Sequence, residues 1–529
     1  MTKTKCTLIP DLLWAALLLL LLILFYQPAL HGGLLFDDDR HLTPLGLRSW
    51  QGLFRIWFEP GATFQYYPVL HSFYWLEQSL WGDTLIGYHL ASLMLHAGIA
   101  FLLVALVRRL ALPGAWLAGF LFALHPICVE SVTWISEQKN TLSGFFCLAS
   151  ALVYLTFDKS RSRSAYFTAT FLFMLALLSK TVTATLPGVL LVIFWWQRGR
   201  LSWKKDLLPL LPWLVTGAIG GLVSGWIERH FYGATGAAFS LTFPQHLLLA
   251  GHEILFYLAK VLWPSNLMFH YPFWKINATD WHCYLFPVAL LGLFSLFWWS
   301  ARWNRGPLAA LFIFTGILFP VLGFLNIAWF SLSPVADHFA YLASLAVIIP
   351  VSSGAVQAMR KSRVLSWSIR LSLAMILLIS SALTWNHCHL FSDMEQLYRV
   401  TLEKNPACAM GHFNYGLVLV KMPGRLPEAL DQFRTALLLR PDDAATHAWV
   451  GKILLDTQMN QNEAITALER ALEINPNYTE AHYLLGRALE GSSDHKEEAV
   501  AHYQRALKLN PELKVAAKAL KRLQESADN

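Results

Sequence analysis

The chain of 529 residues is 55% hydrophobic, 14% aromatic and only 14% charged. A soluble domain needs far fewer apolar residues, so the composition indicates a membrane protein. The net charge of +7 comes from the apolar part: residues 391–529 hold 16 basic and 19 acidic residues, which leaves 25 basic and 15 acidic residues for positions 1–390. A basic excess confined to an apolar region is typical of membrane topology, so we expect no nucleic-acid partner.

Eleven apolar stretches are predicted to span the membrane, because each spanning helix needs about twenty apolar residues. They lie near 12–30, 84–107, 112–127, 140–157, 165–179, 183–196, 207–226, 283–299, 308–325, 339–356 and 366–385. The segment before the first span carries Lys3 and Lys5 and no acid, so that span is expected to start in the cytoplasm. The spans then alternate so that every inside loop is basic, and the odd number places the C-terminus outside.

One further apolar stretch, "QHLLLAGHEILFYLAKVLWP" at 245–264, contains His252, Glu253 and Lys260. If it crossed the membrane, the basic segment "ARWNRG" at 301–306 would turn outward, against the charge rule. We therefore expect an external re-entrant or interfacial helix at this position.

The region that follows the last span repeats every 35 residues. Proline, glycine and alanine recur at that spacing, at Pro406, Pro441, Pro476 and Pro511, at Gly416, Gly451 and Gly486, and at Ala436, Ala471 and Ala506. Small residues let paired helices approach closely, and each proline ends a pair. The pattern resembles tetratricopeptide repeats. We therefore predict an all-α chain with a transmembrane domain at 1–388 and an extracytoplasmic α-solenoid at 389–529, which holds a peptide or helix or acts as a scaffold.

The six cysteines show neither a CxxC motif nor metal-ligand spacing. Free thiols are therefore expected, with a disulfide between Cys388 and Cys408 as the alternative, and no structural zinc site is predicted.

Four polar stretches meet at the outer face in the predicted topology. They are "FDDDRH" (36–41), "HPICVESVTWISEQKN" (125–140), "SKTVTATLP" (179–187) and "SPVADHFAYLAS" (333–344). Each alone is explained by a solvated loop end, but polar groups near a bilayer are costly, so four on one side favour a site.

The residues of these stretches suit one kind of chemistry. Adjacent carboxylates such as Asp37 and Asp38 differ in pKa when one is desolvated, so one can act as a general base toward a hydroxyl. Lys139 and Lys180 supply positive charge for a phosphate, the group that leaves when a sugar linked through phosphate is transferred. The combination indicates glycosyl transfer from a lipid-linked donor.

Five segments and the repeats together resemble a known family. The segments are "FDDDRHLT", "GYHLASLMLHA", "LFALHPICVESVTWISEQKNTLSGFF", "LALLSKTVTATLPGVLL" and "SPVADHFAYLAS". They are similar to the transmembrane and tetratricopeptide-repeat O-mannosyltransferases and their bacterial relatives, which belong to the GT-C superfamily of integral-membrane glycosyltransferases. The stretch HP-x-x-VE-x-V-x-W-x-x-E, combined with the acidic loop and the repeats, is the most specific part of the resemblance.

The resemblance implies roles for the acidic residues. The family's acidic pair falls on Asp37 and Asp38, one of which is implied to be the general base, and the sequence does not choose between them. Asp39 occupies a position that varies in the family and ranks below them. Glu130 is implied to orient the acceptor or the donor, with a structural hydrogen bond as the alternative.

The resemblance also implies roles for cationic residues. Lys180 matches a lysine before the T-x-x-x-LP element, and its implied role is to bind the donor phosphate, together with Lys139 and a protonated His338. His125 is expected to shape the turn before Pro126, with a catalytic role as the alternative. Asp337 is a secondary candidate.

Two departures from the family pattern replace arginines. The bacterial relatives commonly read E-R-K-D where this chain has "EQKN" at 137–140, and D-R-Y where it has "DHF" at 337–339. If those arginines hold the phosphate, fewer fixed cations remain here, and lysine is a weaker bidentate clamp than arginine.

We therefore predict an integral-membrane glycosyltransferase that moves a sugar, expected to be mannose, from a polyprenyl-phosphate or dolichyl-phosphate donor to a hydroxyl, expected to be a protein Ser or Thr. No cofactor or metal is required by this mechanism, although the acidic pair leaves a divalent metal open. The enzyme would lie in a bacterial inner membrane with the repeats outside the cytoplasm, or in an ER membrane with the repeats in the lumen. The alternatives are a non-catalytic scaffold for assembly or export and a transporter, but the charged residues lie at span ends and no internal symmetry is visible.

Overall fold

The computed structural model describes residues 8–231, 241–491 and 495–525, and within these ranges it contains helices and no strand. The predicted all-α class is thereby confirmed. The chain divides into two compact units, Met1–Met394 and Glu395–Asn529. Lys3 and Lys5, on which the predicted orientation of the first span depends, lie outside the described residues.

The first unit consists of apolar helices joined by short loops. Within the described residues its α-helices are α1 Leu8–Phe25, α2 Asp38–His41, α3 Trp50–Phe58, α4 Pro68–Trp81, α5 Leu85–Arg109, α6 Ala115–Ala123, α7 Val129–Thr133, α8 Gln138–Ser160, α9 Arg163–Ser179, α10 Leu186–Arg198, α11 Leu208–Phe231, α12 Phe243–Leu262, α13 Leu285–Ser300, α14 Gly306–Leu318, α15 Ala340–Ala343, α16 Leu345–Met359 and α17 Arg363–Phe391. An apolar helix lies at every predicted span.

By length and hydropathy, five helical segments of the described chain can cross a membrane, and up to seven if each of two bent pairs is counted as one span. Three shorter apolar helices, Ile9–Phe25, Arg163–Ser179 and Gly306–Val321, add to these. The chain is a membrane protein, while the count of eleven spans stays a prediction. The expected surface location of α12, a helix of 20 residues, also stays a prediction.

Two predicted spans are broken rather than straight. The pair Ala115–Ala123 and Pro126–Thr133 bends by 56°, and the pair Asp337–Ala343 and Leu345–Met359 bends by 53°. The first bend has a local cause, because the residue before Pro126 avoids helical backbone angles: His125 has φ −79° and ψ 126°. Both breaks turn short polar helices toward the same region of the unit.

Glycine sets the spacing of the helices that support this region. A Cβ on Gly98 of α5 would lie 2.8 Å from the Phe145 ring of α8, and a Cβ on Gly119 of α6 would lie 2.8 Å from a methyl of Val104 of α5. Membrane helices pack closely through such small residues because lipid tails provide no hydrophobic drive for association. The α5, α6 and α8 packing therefore fixes the position of the first turn of α8.

The second unit contains the repeats. Its described helices are α18 Met394–Lys404, α19 Ala409–Val420, α20 Leu426–Leu439, α21 Ala444–Asp456, α22 Gln461–Ile474, α23 Thr479–Leu489, α24 Lys496–Leu509 and α25 Lys514–Glu525. The helices pair as α19 with α20, α21 with α22 and α23 with α24, as the 35-residue period predicts. In the middle pair a Cβ on Gly451 would lie 2.6 Å from Cγ of Leu468, so only glycine fits at this crossing.

In each pair, a histidine of the first helix hydrogen-bonds to the proline that precedes this helix. The imidazole Nε2 atoms of His412, His447 and His482 donate to the carbonyl oxygens of Pro406, Pro441 and Pro476 at 3.0, 2.9 and 3.1 Å. Polar contacts between neighbouring repeats also recur at the same spacing: Arg470 donates to Asp442 at 3.0 Å, and Arg505 donates to Asn477 at 2.7 Å.

The described cysteines carry free thiols: Cys128, Cys147, Cys283, Cys388 and Cys408. Cys6 lies outside the described residues.

Candidate functional site

The acidic loop follows α1 through a residue with left-handed backbone geometry. Phe36 has φ 39°, which is costly for a bulky residue. Its ring is held by edge-to-face contacts with Trp134 and Phe269, at centroid distances of 5.9 and 6.0 Å. This aromatic packing turns the backbone so that Asp37 and Asp38 both reach Ser136, nearly 100 residues further along the chain.

Asp38 is an anchored carboxylate. It is fully buried; its Oδ2 accepts from the backbone N–H of Leu35 at 2.8 Å, and its Oδ1 accepts from the backbone N–H and the hydroxyl of Ser136, both at 2.7 Å. Burial raises the pKa of Asp38 to about 7, although the donors at Leu35 and Ser136 oppose this shift. The carboxylate therefore joins two segments, and both of its oxygens are already occupied.

Asp37 is the less constrained of the two carboxylates. Its side chain is 15% exposed. Oδ1 lies 2.6 Å from the Ser136 hydroxyl oxygen, whose single proton Asp37 and Asp38 share, and Oδ2 lies 3.4 Å from Nε2 of His41. Burial acts to raise the pKa of Asp37, but His41 and the positive charge of Lys139 outweigh it and lower the pKa below its ordinary value. Asp37 is thus an ionised carboxylate whose contacts within the described residues come from side chains and not from backbone N–H groups.

Glu137 is the centre of a buried ion cluster. Its Oε1 lies 2.8 Å from Nζ of Lys139, and its Oε2 lies 3.1 Å from Nζ of Lys180 and 2.6 Å from Nδ2 of Asn140. The amide oxygen of Asn140 accepts from Lys180 at 2.7 Å. The side chains of Glu137, Lys139 and Lys180 are only 2, 8 and 12% exposed. Two ammonium groups thus share the Glu137 carboxylate.

Burial lowers the pKa of Lys180 to about 8, although Glu137 opposes the shift. Lys180 follows the last residue of α9, and Lys139 lies in the first turn of α8. The cation pair therefore sits where two helices end, beside the acidic loop that Ser136 holds.

Glu130 and His338 connect the two bent segments. The backbone N–H of His338 donates to Oε2 of Glu130 at 3.1 Å, and Nδ1 of His338 lies 2.9 Å from Oε1 of Glu130. Nε2 of His338 lies 3.8 Å from Oε1 of Glu137. Both ring nitrogens of His338 thus face carboxylates, and Glu130 makes the structural hydrogen bond that the sequence left as its alternative role.

The secondary candidates have local partners. His125 accepts from the backbone N–H of Ile127 at 3.2 Å through Nδ1 and donates to the carbonyl of Val261 at 2.9 Å through Nε2, so it shapes its turn. Asp337 is buried and accepts from the hydroxyl of Tyr271 at 2.8 Å. Asp39 is exposed.

Gln65 and Glu228 extend the cluster on the side of Lys139. Gln65 has φ 62°, and its amide oxygen accepts from Lys139 at 3.4 Å while its amide nitrogen lies 3.3 Å from Glu228. Glu228 also accepts from the backbone N–H of Ala328 at 3.0 Å. A third carboxylate and two further loops therefore close around the cations.

Sequence reasoning missed Ser136, Glu137, Gln65 and Glu228. Glu137 stood within the quoted "SEQKN" segment, and its position two residues from a lysine was the available signal. Gln138, in contrast, donates to Glu77 at 2.8 Å. The first departure from the family pattern therefore has two parts: Gln138 contacts α4, whereas Asn140 contacts Lys180 and Glu137.

The described residues contain no group of three or more His, Cys, Asp or Glu side chains arranged to hold a metal ion. The residues that are brought together instead place an ionised carboxylate, Asp37, beside the two lysines that share Glu137. Such an arrangement can accept a proton on one side and stabilise a developing negative charge on the other.

Comparisons with known proteins agree with the repeats and with the family resemblance. Models of the tetratricopeptide repeat match residues 460–492 and 479–513. The crystal structure of MamA aligns with 26% of this chain and 80% of its own length, at 19% identity and a TM-score of 0.24.

Two similar curated proteins are the protein O-mannosyl-transferase Tmtc1 of Drosophila melanogaster and the protein O-mannosyl-transferase TMTC1 of Homo sapiens. The first is 29% identical over 235 residues, which are 41% of this chain and 26% of the relative. The second is 25% identical over 449 residues, which are 72% of this chain and 48% of the relative. The matched region thus spans less than half the length of these relatives. These relatives and the repeats confirm the resemblance: the chain is similar to proteins that are named protein O-mannosyl-transferases and carries tetratricopeptide repeats.

Proposed function

We propose that the first unit is a glycosyltransferase that moves mannose from a polyprenyl-phosphate or dolichyl-phosphate donor to a hydroxyl of a protein Ser or Thr, on the extracytoplasmic face of its membrane. The observation that supports this most directly is the position of Asp37: an ionised carboxylate whose Oδ2 has no backbone donor within the described residues, next to a cluster with two lysines on one glutamate. The names of the relatives support a mannosyl donor.

The proposed reaction is a single displacement. Asp37 takes the proton of the acceptor hydroxyl, the acceptor oxygen attacks the anomeric carbon, and the bond from that carbon to the phosphate oxygen breaks. The electron pair leaves with the phosphate, whose added charge is stabilised by Lys139 and Lys180. Attack from the side opposite the phosphate inverts the configuration at the anomeric carbon.

Asp38 has a positioning role in this proposal. Two of its three donors belong to Ser136 and tie the acidic loop to that residue, and the Ser136 hydroxyl also reaches Asp37. Glu130 positions His338 in the same way. In this proposal Lys139 and Lys180, which share Glu137, supply the positive charge for the donor phosphate.

The repeats have a protein-binding role, as tetratricopeptide repeats do in general. We propose that they hold the acceptor protein. A scaffold without catalysis is the rival function, and it requires the acidic loop to be dispensable.

The test is a transfer assay on the full-length protein with labelled polyprenyl-phosphate mannose and a peptide acceptor. Asp37→Asn keeps Oδ1 as the acceptor for Ser136, so we expect normal folding and a loss of turnover of about 10²–10⁴-fold. Asp39→Asn is the matched control and is expected to keep wild-type turnover. Asp38→Asn loses one of two acceptor oxygens that receive backbone donors, so it is expected to lower thermal stability as well as turnover.

Equal turnover in wild type, Asp37→Asn and Asp38→Asn would rule out the catalytic proposal and favour the scaffold. Loss in Asp38→Asn with full activity in Asp37→Asn would move the base from Asp37 to Asp38.

A further inference from the structure

A cavity of about 820 Å³ opens between α1, α5, α6 and α8, at the helix ends remote from the ion cluster. Its walls are mostly apolar and include Leu12, Phe101 and Val153. Arg108 and Arg109 lie at its edge, at the C-terminal end of α5. None of these residues takes part in the proposed transfer reaction.

The position of the cavity relative to the ion cluster follows from α8. Lys139 lies in the first turn of this helix, and Thr156, which lines the cavity, lies close to its end. Seventeen residues at 1.5 Å each separate them by about 26 Å, close to the roughly 30 Å thickness of the hydrocarbon core. The cavity therefore lies at the opposite membrane interface from the ion cluster.

The two arginines of the cavity differ in whether a carboxylate balances their charge and in how many of their N–H donors have partners. Arg108 donates to both oxygens of Asp11 at 2.9 and 2.6 Å, and the indole N–H of Trp116 donates to Asp11 at 2.8 Å. The charge of Arg108 is thereby balanced. Asp11 thus accepts three hydrogen bonds, two of them from Arg108.

Arg109 is not balanced by any carboxylate of the described chain. Both of its hydrogen bonds are donated by Nη2, to the carbonyl of Leu155 at 3.0 Å and to the hydroxyl of Thr156 at 3.2 Å. Its Nε is buried and has no hydrogen-bond partner within the described residues. A permanent cation with unused donors at the rim of an apolar cavity attracts a ligand that combines an anion with an apolar chain.

We propose that this cavity binds an anionic phospholipid, with the phosphate on Arg109 and an acyl chain along Leu12, Phe101 and Val153. A free phosphate would gain nothing from the apolar walls, and a zwitterionic lipid would leave the charge of Arg109 partly unbalanced. The polyprenyl donor belongs to the opposite interface. The proposal requires the chain to span a membrane but does not depend on the transfer reaction.

The test measures lipid bound to the full-length protein by native mass spectrometry after detergent exchange, with phosphatidylglycerol, phosphatidylcholine, polyprenyl phosphate and inorganic phosphate as separate probes. We expect one tightly bound phosphatidylglycerol. Arg109→Gln is expected to weaken its binding about tenfold, because a charge-assisted hydrogen bond is lost. Ala105→Trp fills the cavity from an exposed position on α5 while the arginine stays, and it is expected to weaken binding as well.

Arg302→Gln is the matched control: Arg302 is exposed, lies outside the cavity and belongs to a loop predicted on the same side. It is expected to bind phosphatidylglycerol like the wild type. Equal binding by all variants would overturn the proposal, as would equal binding of phosphatidylcholine. Preferred binding of polyprenyl phosphate would reassign the cavity to the donor, and competition by inorganic phosphate would reduce it to an anion site.

Discussion

Replacing Glu137 with glutamine tests whether the ion cluster holds the first unit together. Glutamine has the same shape and keeps one acceptor oxygen, but it removes the negative charge that Lys139 and Lys180 share at 2.8 and 3.1 Å. Two buried ammonium groups would then face each other's charge without a carboxylate between them. Removing one partner of a buried ion pair costs about 3–5 kcal/mol.

The lower end of that range is expected here, because Lys180 can lose its proton. Burial already lowers the pKa of Lys180 to about 8. For a unit that runs from Met1 to Met394, the usual unfolding entropy per residue converts 3 kcal/mol into a decrease in Tm of about 4 °C. The decrease should shrink above about pH 8, where the Lys180 ammonium becomes neutral.

The assay is thermal unfolding of the full-length protein in detergent, followed by tryptophan fluorescence. Glu59→Gln is the matched control, because Glu59 pairs with Arg55 at 2.6 Å on an exposed surface, and it should leave Tm unchanged. Adding Lys180→Met to Glu137→Gln should recover part of the loss. The reasoning is refuted if Glu137→Gln has the same Tm as the wild type, or if adding Lys180→Met to Glu137→Gln lowers the Tm further.

Four further outcomes are expected. With Asp37 as the base, kcat/KM shows no rising limb near pH 7, because His41 and Lys139 hold the pKa of Asp37 low, whereas a limb at about pH 7 would point to Asp38. Folded Asp38 keeps its proton up to about pH 7, whereas the unfolded chain releases it near 3.8. The stability of the wild type should therefore fall as pH rises from about 4 to 7, and Asp38→Asn should lack this dependence. Lys180→Gln should raise the donor KM about tenfold without changing the acceptor KM. Gly451→Ala should destabilise the repeats through its clash with Leu468 and raise KM for a protein acceptor only.

These predictions have matched controls. Lys275→Gln removes an exposed lysine that is predicted to lie on the same side of the membrane as Lys180, and its donor KM should stay at the wild-type value. Gly491→Ala adds a methyl group with no contact closer than 3.6 Å, so the repeats should remain stable. A donor KM that rises equally in both lysine variants would indicate a general charge effect and not a phosphate site.

The helices were predictable because their signals are local. Runs of apolar residues placed a helix at every expected span, and the 35-residue spacing of Gly416, Gly451 and Gly486 gave the repeat register. The bend before Pro126 was less visible, since the same residues also read as one continuous apolar run. A local pattern fixes which residues are helical but not whether two helices share an axis.

The site was predictable only in part. The sequence analysis named Asp37, Asp38, Lys139 and Lys180 from their residue types and the family resemblance, and the structure brings them close together. The difference between the two aspartates depends on Ser136, whose backbone N–H reaches Asp38 and not Asp37. The role of Glu137 could not be predicted for the same reason, because the second lysine that pairs with it, Lys180, lies at the end of a separate helix, α9. Such contacts are set by packing between distant segments, which a single sequence does not encode as a spacing.

The histidine that fastens each repeat has a consequence for how this protein can change over time. Each of these hydrogen bonds joins residues that lie within seven consecutive positions, from Pro406 to His412 and again from Pro441 to His447. Since the contacts that bridge adjacent blocks also recur in register, duplicating or deleting one whole block would recreate the same junction on both flanks. We therefore expect homologous solenoids to vary in copy number by entire 35-residue modules, while insertions of partial modules should be selected against.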